Sequence, residues 1–186
     1  KYYEHRMWAG KDDCRHIFAR INGVNIHNFY VPAGGDIADR DANPKFGHKI
    51  DFVDEMKEWF SNNSPRKSVL VGDLNIAPLA KDVWSTSQLR NVVSHTDIER
   101  EKLTAAINEG GWVDAVREYY GPEKILYSWW SYRARDWKAS NRGRRLDHIW
   151  LSTDMKEKMC GVDIMTQARG FEKPSDHVPL TIELAE

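Results

Sequence analysis

The sequence predicts an α/β fold in which helices are interspersed with the strands and hairpins of mixed β-sheets. Residues 49–61 carry apolar side chains on one face at helical spacing. Residues 178–184 instead place an apolar side chain at every second position, as a half-buried strand does. Asn22-Gly23 lies between two further apolar segments and is a strong hairpin signal, because both positions tolerate positive φ.

The N-terminal half is predicted to contain a hairpin, a loop, a helix and a buried strand. Residues 17–21 and 24–30 form the two strands of the hairpin. Residues 36–48 are polar and contain an Asn-Pro pair, which is typical of a loop. The helix at 49–61 follows, and the apolar run at 69–71 predicts the next strand.

The C-terminal half is predicted to contain two helices and two strands. The first helix begins near Thr96, where "TDIE" is a capping-box pattern, and ends at the glycines 110–111. Residues 112–120 predict a shorter helix. Residues 146–151 and 178–184 predict the strands, because their apolar residues follow strand patterns.

The composition indicates a soluble globular domain. The chain has 186 residues, 41% hydrophobic and 30% charged, which suits one domain spanning 1–186. No apolar run reaches the ~18–20 residues that cross a bilayer, so no membrane partner is predicted. Cys14 and Cys160 are far apart and lack CxxC partners, which argues against a zinc or disulfide framework and favours the cytoplasm.

One segment is basic in an otherwise balanced chain. The formal net charge is −1, which excludes a uniformly basic nucleic-acid binder. Residues 133–145 nevertheless carry six Lys or Arg residues against one Asp. Such a cluster can bind a polyanion, although on composition alone a solvated loop is the alternative.

Asp73 and Asn75 in "VGDLNIAP" are candidate site residues at the end of a predicted strand. Residues two apart on a strand point to the same face, and α/β proteins usually keep their sites at strand ends. A carboxylate and an amide can together hold a divalent cation and contact a phosphate or a water. The alternative is a turn in which both side chains bond their own backbone.

Asp147 in "RRLDHIW" and the pair Asp176-His177 in "KPSDHVPL" are also candidates, because each lies at the start of a predicted strand. A buried carboxylate needs a partner, and an Asp–His hydrogen bond fixes the tautomer and orients the ring. For His177 alone, a structural histidine with satisfied hydrogen bonds is the alternative.

The motifs "GDLN", "RRLDHIW" and "PSDHVPL", in this order, resemble the exonuclease III branch of the endonuclease/exonuclease/phosphatase superfamily. "NFYVPAGG" is similar to the family's strand ending in Tyr-x-Pro, and "YSWWSYRARDWKASNRGRRLDH" to its "SWxxYR…NRGxRxD" segment. The resemblance implies a four-layered α/β sandwich, with two mixed β-sheets packed face to face and helices outside.

Residues 1–186 are expected to be the C-terminal part of that domain, roughly two-thirds of it. The opening "KYYEHRMWAGKDDC" does not resemble the family's N-terminal strands, one of which ends in a metal-binding Glu. The expected sandwich is therefore incomplete at the N-terminus.

The resemblance also implies an activity. The expected protein is a Mg²⁺-dependent hydrolase of DNA phosphodiesters, with Mn²⁺ as a possible substitute. It would act as a 3′→5′ exonuclease and abasic-site endonuclease in base excision repair. Its partner would be duplex DNA with abasic sites or 3′ ends, and it would work as a monomer in a bacterial-type cytoplasm.

Residue roles carry over from the family motifs as follows. Asp73 would position the attacking water or protonate the leaving group, Asn75 would hold the scissile phosphate, and Tyr30 would donate a hydrogen bond to it. Asp147 would orient His177, which would contact the phosphate in the transition state. The implied metal ligands are Asp73, Asn75 and Asp176.

DNA binding is assigned to the segment around the basic cluster. Trp129 would pack against the deoxyribose where the base is missing, since an aromatic platform suits a sugar or an unstacked nucleotide. Nearby polar and cationic side chains can hold the DNA backbone without reading its sequence. The members named for this role are Arg133, Asn141, Arg142, Arg144 and Arg145.

Two other functions stay open. The first is a phosphatase or phosphodiesterase of the same superfamily that acts on another phosphoester. The second is a non-catalytic DNA-binding fragment, because the family's N-terminal metal-binding Glu has no counterpart in this sequence.

Overall fold

Strands and helices alternate along the computed structural model, which describes residues 6–185. The strands are β1 (His16–Ile21), β2 (Val24–Phe29), β3 (Ser68–Asp73), β4 (Trp112–Asp114), β5 (Trp129–Trp130), β6 (Gly143–Arg144), β7 (Asp147–Ser152), β8 (Met159–Ile164) and β9 (Leu180–Leu184). The α-helices are α1 (Pro44–Asn62), α2 (Thr86–Leu89), α3 (Asp97–Glu109), α4 (Ala115–Tyr120) and α5 (Trp137–Ser140). The 3-10 helices are Ala80–Asp82, Thr153–Lys158 and Thr166–Gly170.

A five-stranded mixed sheet forms the centre of the fold, in the order β1-β2-β3-β7-β4. β2 and β3 are parallel, and the other neighbours are antiparallel. The parallel pair is joined through α1, because parallel strands need a long crossover connection. β3 and β7 are inner strands, so the end of β3 and the start of β7 meet inside the sheet.

The two faces of this sheet are covered differently. On one face, α1 and α3 bury Phe52, Met56 and Leu103 completely against the sheet. Each such side chain stabilises the fold by about 1.5–3 kcal/mol relative to exposure. The other face packs against the antiparallel pair β8–β9, where the contacting apolar residues include Ile149, Leu151, Leu180 and Ile182. Helices, central sheet and second sheet are thus successive layers, and the α/β fold class is confirmed.

Two local signals are confirmed in detail. Ile21 pairs with Val24, and the φ angles of Asn22 and Gly23 are 50° and 82°, as a two-residue hairpin turn requires. At the start of α3, the Thr96 side chain and the side chain three residues later each accept the other's backbone N–H. None of the helices within the described part of the chain is long and apolar enough to span a membrane.

Two predicted boundaries are wrong. α1 begins at Pro44, inside the segment 36–48 predicted as a loop. The Asn43 side chain caps this helix, and proline suits the first helical position. The segment 112–120 predicted as one helix is divided, because its first three residues pair with β7 as β4 before α4 begins.

A buried histidine pair predicts how stability depends on pH. His16 Nε2 lies 3.1 Å from His27 Nδ1. Burial, followed by the charges of His27 and Arg6, lowers the pKa of His16 from 6.5 to about 3, and burial lowers that of His27 to about 4. Between these folded values and 6.5 the unfolded chain binds more protons than the folded one. Stability should therefore fall as the pH decreases through this window.

We expect His27→Gln to weaken this dependence by up to about 1.4 kcal/mol per pH unit, the contribution of one titrating group. The measurement is urea unfolding of both proteins at about pH 7 and about pH 5. Equal losses of stability in the variant and the unchanged protein would contradict the assignment to this pair.

Candidate active site

The site is built where β3 ends beside the start of β7. Asp73 is paired directly with Asp147 across these strands, so two carboxylates lie on neighbouring inner strands. Gly72 makes the end of β3 possible: its φ is 135°, and a Cβ atom there would lie 1.9 Å from the Phe29 carbonyl oxygen. Any other residue would push β3 away from β2 and move Asp73.

Asn75 holds the turn that follows β3 in a left-handed conformation, with φ of 54°. Its backbone N–H donates to Asp73 Oδ1 at 3.0 Å, which is the local turn considered as the alternative for this pair. Its amide Nδ2 donates to the Val31 carbonyl at 2.9 Å and to Asp73 Oδ2 at 3.1 Å. Because both amide hydrogens are engaged, Oδ1 is the atom that Asn75 can offer to a ligand.

His177 lies in the segment before β9 and is held by its neighbours. It forms a β-bridge with Trp129, and the next residue's N–H donates to the Ser128 carbonyl at 2.8 Å. The ring Nδ1 donates to Asp147 Oδ2 at 2.8 Å. This bond leaves Nε2 facing the site, 4.0 Å from Asp73 Oδ2.

The three groups shift one another's proton affinity. Burial, followed by the charge of Asp147, raises the pKa of Asp73 to about 6, although His177 opposes the shift. Burial alone would lower the pKa of His177, but the hydrogen bond and charge of Asp147 outweigh it and raise the value. The cluster therefore favours a protonated imidazole and a carboxyl group that can exchange a proton near neutral pH.

The same cluster suits a divalent cation. Carboxylate oxygens of Asp73 and Asp147 and a ring nitrogen of His177 lie within 4.8 Å of one another. His177 can be a ligand only in its unprotonated form, so the carboxylates are the cluster's donors when the ring is protonated. Carboxylate oxygens, with Asn75 Oδ1 next to them, are the donors that hard cations prefer. The described residues thus contain a cluster of acidic side chains that could hold a metal ion.

Asp176 lies beside this cluster but outside it. Its Oδ2 accepts a hydrogen bond from Trp129 Nε1 at 3.0 Å, and its carbonyl accepts from the Trp130 N–H at 2.9 Å. Its role as a metal ligand stays a prediction. In the structure its carboxylate orients the Trp129 indole next to His177.

A cleft of about 600 Å³ opens next to the cluster. Asn75 and His177 line it together with Trp129. Its cationic lining residues are Arg133, Arg142 and Arg144. The cleft thus combines an aromatic platform with positive charge, as expected for a site that binds a nucleotide backbone.

Arginine side chains stack on two of the cleft's indoles. The Arg144 guanidinium lies 5.4 Å from the Trp129 ring centre and donates to Ser94 Oγ at 2.7 Å. The Arg142 guanidinium lies 4.6 Å from the ring centre of Trp84. Trp84 has no place among the sequence-predicted residues, because no motif distinguishes it from the other tryptophans.

Tyr30 and Asn141 lie outside the cleft lining. Tyr30 follows β2 next to Asp73, is 53% exposed, and has the Arg15 guanidinium 5.1 Å from its ring centre. Asn141 ends α5 and accepts a hydrogen bond from Trp130 Nε1 at 3.1 Å. Asn141 thus shapes the loop of the basic segment. Contacts of either side chain with DNA stay predictions.

Arg145 is buried and does not line the cleft. It is 0% exposed, so the expectation that it contacts DNA is wrong. Its Nε donates to Asp82 Oδ1 at 2.6 Å and its Nη2 to Asp114 Oδ2 at 2.8 Å. Arg145 follows directly after Arg144 in a basic run, and the run alone does not indicate which arginine points inward.

Lys49 and Glu99 are further residues near the site that the motifs do not indicate. Both are completely buried, with Lys49 Nζ 2.6 Å from Glu99 Oε1. The available signals were a lysine on the apolar face of a helix and the capping-box position of Glu99. A buried lysine requires an acceptor, but the sequence does not identify it.

Fold and site together define an α/β protein with an acidic, histidine-containing cluster that opens onto a basic aromatic cleft. The sequence pattern of the Endonuclease/Exonuclease/phosphatase family matches residues 10–177. The chain belongs to this family.

Named relatives agree with this assignment. The chain is 37% identical over 164 residues to an exodeoxyribonuclease of Bacillus subtilis, covering 88% of this chain and 63% of the relative. A solved AP endonuclease from Archaeoglobus fulgidus has a TM-score of 0.83 at 28% identity, covering 91% of this chain and 65% of that one. A 3′ phosphatase, NExo from Neisseria bound to product DNA hairpin, has a TM-score of 0.88 at 27% identity, covering 100% and 70%. The chain thus spans about 63% of the Bacillus relative's length.

The Asp147–His177 hydrogen bond predicts a spectroscopic change. Because Asp147 raises the pKa of His177 against the effect of burial, Asp147→Asn should lower that pKa, with burial then dominant. NMR titration of the His177 ring, without added metal, measures it. Asp176→Asn is the comparison variant and should lower the pKa less, because the Asp176 charge is the smallest of the contributions that raise it. An unchanged value in Asp147→Asn would contradict the dyad.

Proposed function

We propose that this chain carries the active site of a Mg²⁺-dependent DNA phosphodiester hydrolase of the exonuclease III type. The proposed activities are 3′→5′ exonuclease and abasic-site endonuclease, which serve base excision repair. The observation that carries the proposal is the Asp73–Asp147–His177 cluster at the wall of a basic aromatic cleft. The names of the relatives, an exodeoxyribonuclease and an AP endonuclease, support the same chemistry.

In this mechanism His177 acts on the scissile phosphate. Asp147 holds Nδ1, so the Nε2–H of the protonated ring is directed into the cleft. Hydrolysis of a phosphodiester builds negative charge on the phosphate oxygens in the transition state. A fixed, positively charged N–H donor stabilises that charge more than it stabilises the ground state.

Asp73 is the group that moves the proton. Its carboxyl can take a proton from the attacking water or give one to the leaving oxygen. Without a cation, burial and the charge of Asp147 raise its pKa to about 6. Asn75 fixes this carboxylate through two hydrogen bonds, of 3.0 and 3.1 Å. A bound divalent cation would supply charge neutralisation of the phosphate. Asp73 and Asn75 would hold it, through a carboxylate oxygen and Oδ1 respectively.

The cleft is proposed to hold DNA through its backbone. Arg133 and Arg142 are exposed residues of its lining and can contact phosphates. Trp129, fixed by Asp176, offers its ring to a deoxyribose. A neighbour of the same fold is bound to a DNA hairpin, and this supports DNA as the polymer bound here.

Mg²⁺ is the proposed cation because the donors are oxygen-rich, and Mn²⁺ should substitute, since it accepts the same ligands. Cytoplasmic location stays a prediction that agrees with two exposed free cysteines, Cys14 and Cys160. Action as a monomer also stays a prediction.

Three measurements separate the proposed function from its two alternatives: DNA cleavage, phosphate release from a phosphoinositide, and binding to abasic DNA. The chain is incubated with a duplex containing an abasic-site analogue and with a duplex carrying a recessed 3′ end, with Mg²⁺ or with EDTA. We expect cleavage of both duplexes only with Mg²⁺. His177→Asn should reduce it by about 10²–10⁴-fold, and this variant also controls for contaminating nucleases.

Phosphate release from a phosphoinositide without DNA cleavage would favour the phosphatase alternative. Binding to abasic DNA without cleavage at saturating Mg²⁺ would favour the non-catalytic alternative. Because the chain spans about 63% of the Bacillus relative, the assay is run on the chain and on any longer form of the protein containing it.

The arginines of the cleft predict a change in salt dependence. Arg133→Gln and Arg142→Gln should each reduce the slope of log affinity against log salt by about 0.9, since each removes one phosphate contact. Arg20→Gln is the control, because Arg20 is exposed on β1 and outside the cleft. Fluorescence anisotropy of labelled duplex over a salt series measures the slopes. Equal slopes for all three variants would remove these arginines from the DNA interface.

A further inference from the structure

The Lys49–Glu99 ion pair joins α1 to α3 directly beneath the active site. Both side chains are 0% exposed, and Nζ lies 2.6 Å from Oε1. A buried pair of this kind is weak evidence for stability, because desolvation of two charges offsets their attraction. The contribution of this ion pair lies in the loops that its two charged groups hold in place.

Lys49 holds the two loops that carry the site. Its Nζ donates to the Asn75 carbonyl at 2.8 Å and to the Ala33 carbonyl at 3.3 Å. With Glu99 as third acceptor, all three ammonium hydrogens are used. Gly34 packs on the lysine stem so closely that a Cβ atom there would lie 2.8 Å from Lys49 Cδ. The loop after β2 and the turn after β3 are therefore both bonded to the Lys49 ammonium group.

Glu99 holds Ser94, another residue of the cleft lining. Its two carboxylate oxygens each accept the Ser94 N–H at 2.9 Å, and Oε2 accepts the Thr96 hydroxyl at 2.6 Å. This fixes Ser94 at a φ of 90°, a conformation that serine rarely adopts. Ser94 Oγ in turn accepts the hydrogen bond from Arg144 in the cleft.

We infer that Lys49 and Glu99 are positioning residues for the proposed reaction. Lys49 fixes the left-handed turn at Asn75, and with it the Asp73 carboxylate that Asn75 bonds. Glu99 fixes Ser94, which places Arg144 against Trp129. The inference rests on the proposed function. The pair is a neutral unit inside the fold that holds the Asn75 turn and the Ser94–Arg144 contact of the cleft at a fixed separation.

A second ion pair between the same helices provides a matched control. Lys102 of α3 donates to Asp54 of α1 at 2.6 Å, but these side chains are 29% and 41% exposed and lie outside the cleft. If the buried pair only docked α1 on α3, loss of either pair would affect the enzyme in the same way.

The experiment compares Lys49→Met/Glu99→Gln with Lys102→Met/Asp54→Asn. Removing both charges avoids leaving one of them buried and unpaired, and Gln retains an acceptor for Ser94 and Thr96. We expect kcat for abasic DNA to fall about 10–100-fold in the first variant, the scale of losing an outer-shell partner, and to be unchanged in the second. Thermal unfolding checks that both variants fold.

NMR of the Asn75 side-chain amide provides a readout that does not depend on activity. Its Nδ2 signals should shift in Lys49→Met/Glu99→Gln and stay in place in Lys102→Met/Asp54→Asn. A folded Lys49→Met/Glu99→Gln with unchanged kcat and unshifted Asn75 signals would overturn the inference. Equal losses in both variants would also overturn it, because helix docking would then explain the effect.

Failure of the proposed function can be distinguished from failure of this inference. If the unchanged protein does not cleave DNA, the Asn75 signals alone decide whether the pair positions the turn. If Lys49→Met/Glu99→Gln does not fold, the same comparison uses Lys49→Gln/Glu99→Gln, whose amides can still bond one another and the loop carbonyls.

Discussion

The buried guanidinium of Arg145 is the interaction on which the placement of the site depends. It binds Asp82 through Nε and Nη2, at 2.6 and 3.1 Å, and Asp114 through Nη2 at 2.8 Å. These partners come from the 3-10 helix after the Asn75 turn and from the end of β4, so three distant segments meet at one charge. Burial opposes the charge, but the attraction of Asp114 and Asp82 outweighs it and raises the pKa of Arg145. Removing one partner of such a network typically costs about 3–5 kcal/mol, because an uncompensated charge stays buried. The segment that enters β7 is therefore fixed before any ligand binds.

The network reaches the site through the alternation of side chains in β7. Asp147 points to the site, and the next residue, His148, points to the opposite face, where Arg145 Nη1 donates to its Nδ1 at 3.1 Å. His148 Nε2 then donates to the Ile76 carbonyl at 2.8 Å. Burial, together with the charge of Arg145, lowers the pKa of His148 to about 4, so the ring stays neutral and can accept and donate at once. Asp147 and Asn75 each adjoin a residue of this network. The relative position of the two strand ends is thus set by buried groups on the face of β7 opposite to Asp147.

The features predicted from sequence are those determined by neighbouring residues or by a recurring motif. The Asn22-Gly23 turn and the Thr96 capping box are local, and both form as predicted. The pairing of Asp147 with His177 follows from motifs and is present in the structure. Arg145 was misassigned because burial of one arginine in a basic run is decided by distant carboxylates. The division of 112–120 into β4 and α4 also depends on a distant partner, since β7 supplies the strand that β4 extends.

The site itself carries a cost that these buried networks offset. Asp73 and Asp147 face one another across antiparallel strands, and like charges so placed destabilise a sheet. The raised pKa of Asp73 expresses this repulsion together with burial. His177 relieves part of it by bonding Asp147 and facing Asp73, and a cation bound at Asp73 would relieve more. A rigid frame is needed because the two carboxylates would otherwise move apart or become solvated by water. The two buried charge networks, centred on Lys49 and Arg145, provide that frame on either side of the Asn75 turn. The buried polar groups next to the site are therefore the means by which the fold holds the Asp73 and Asp147 carboxylates close together.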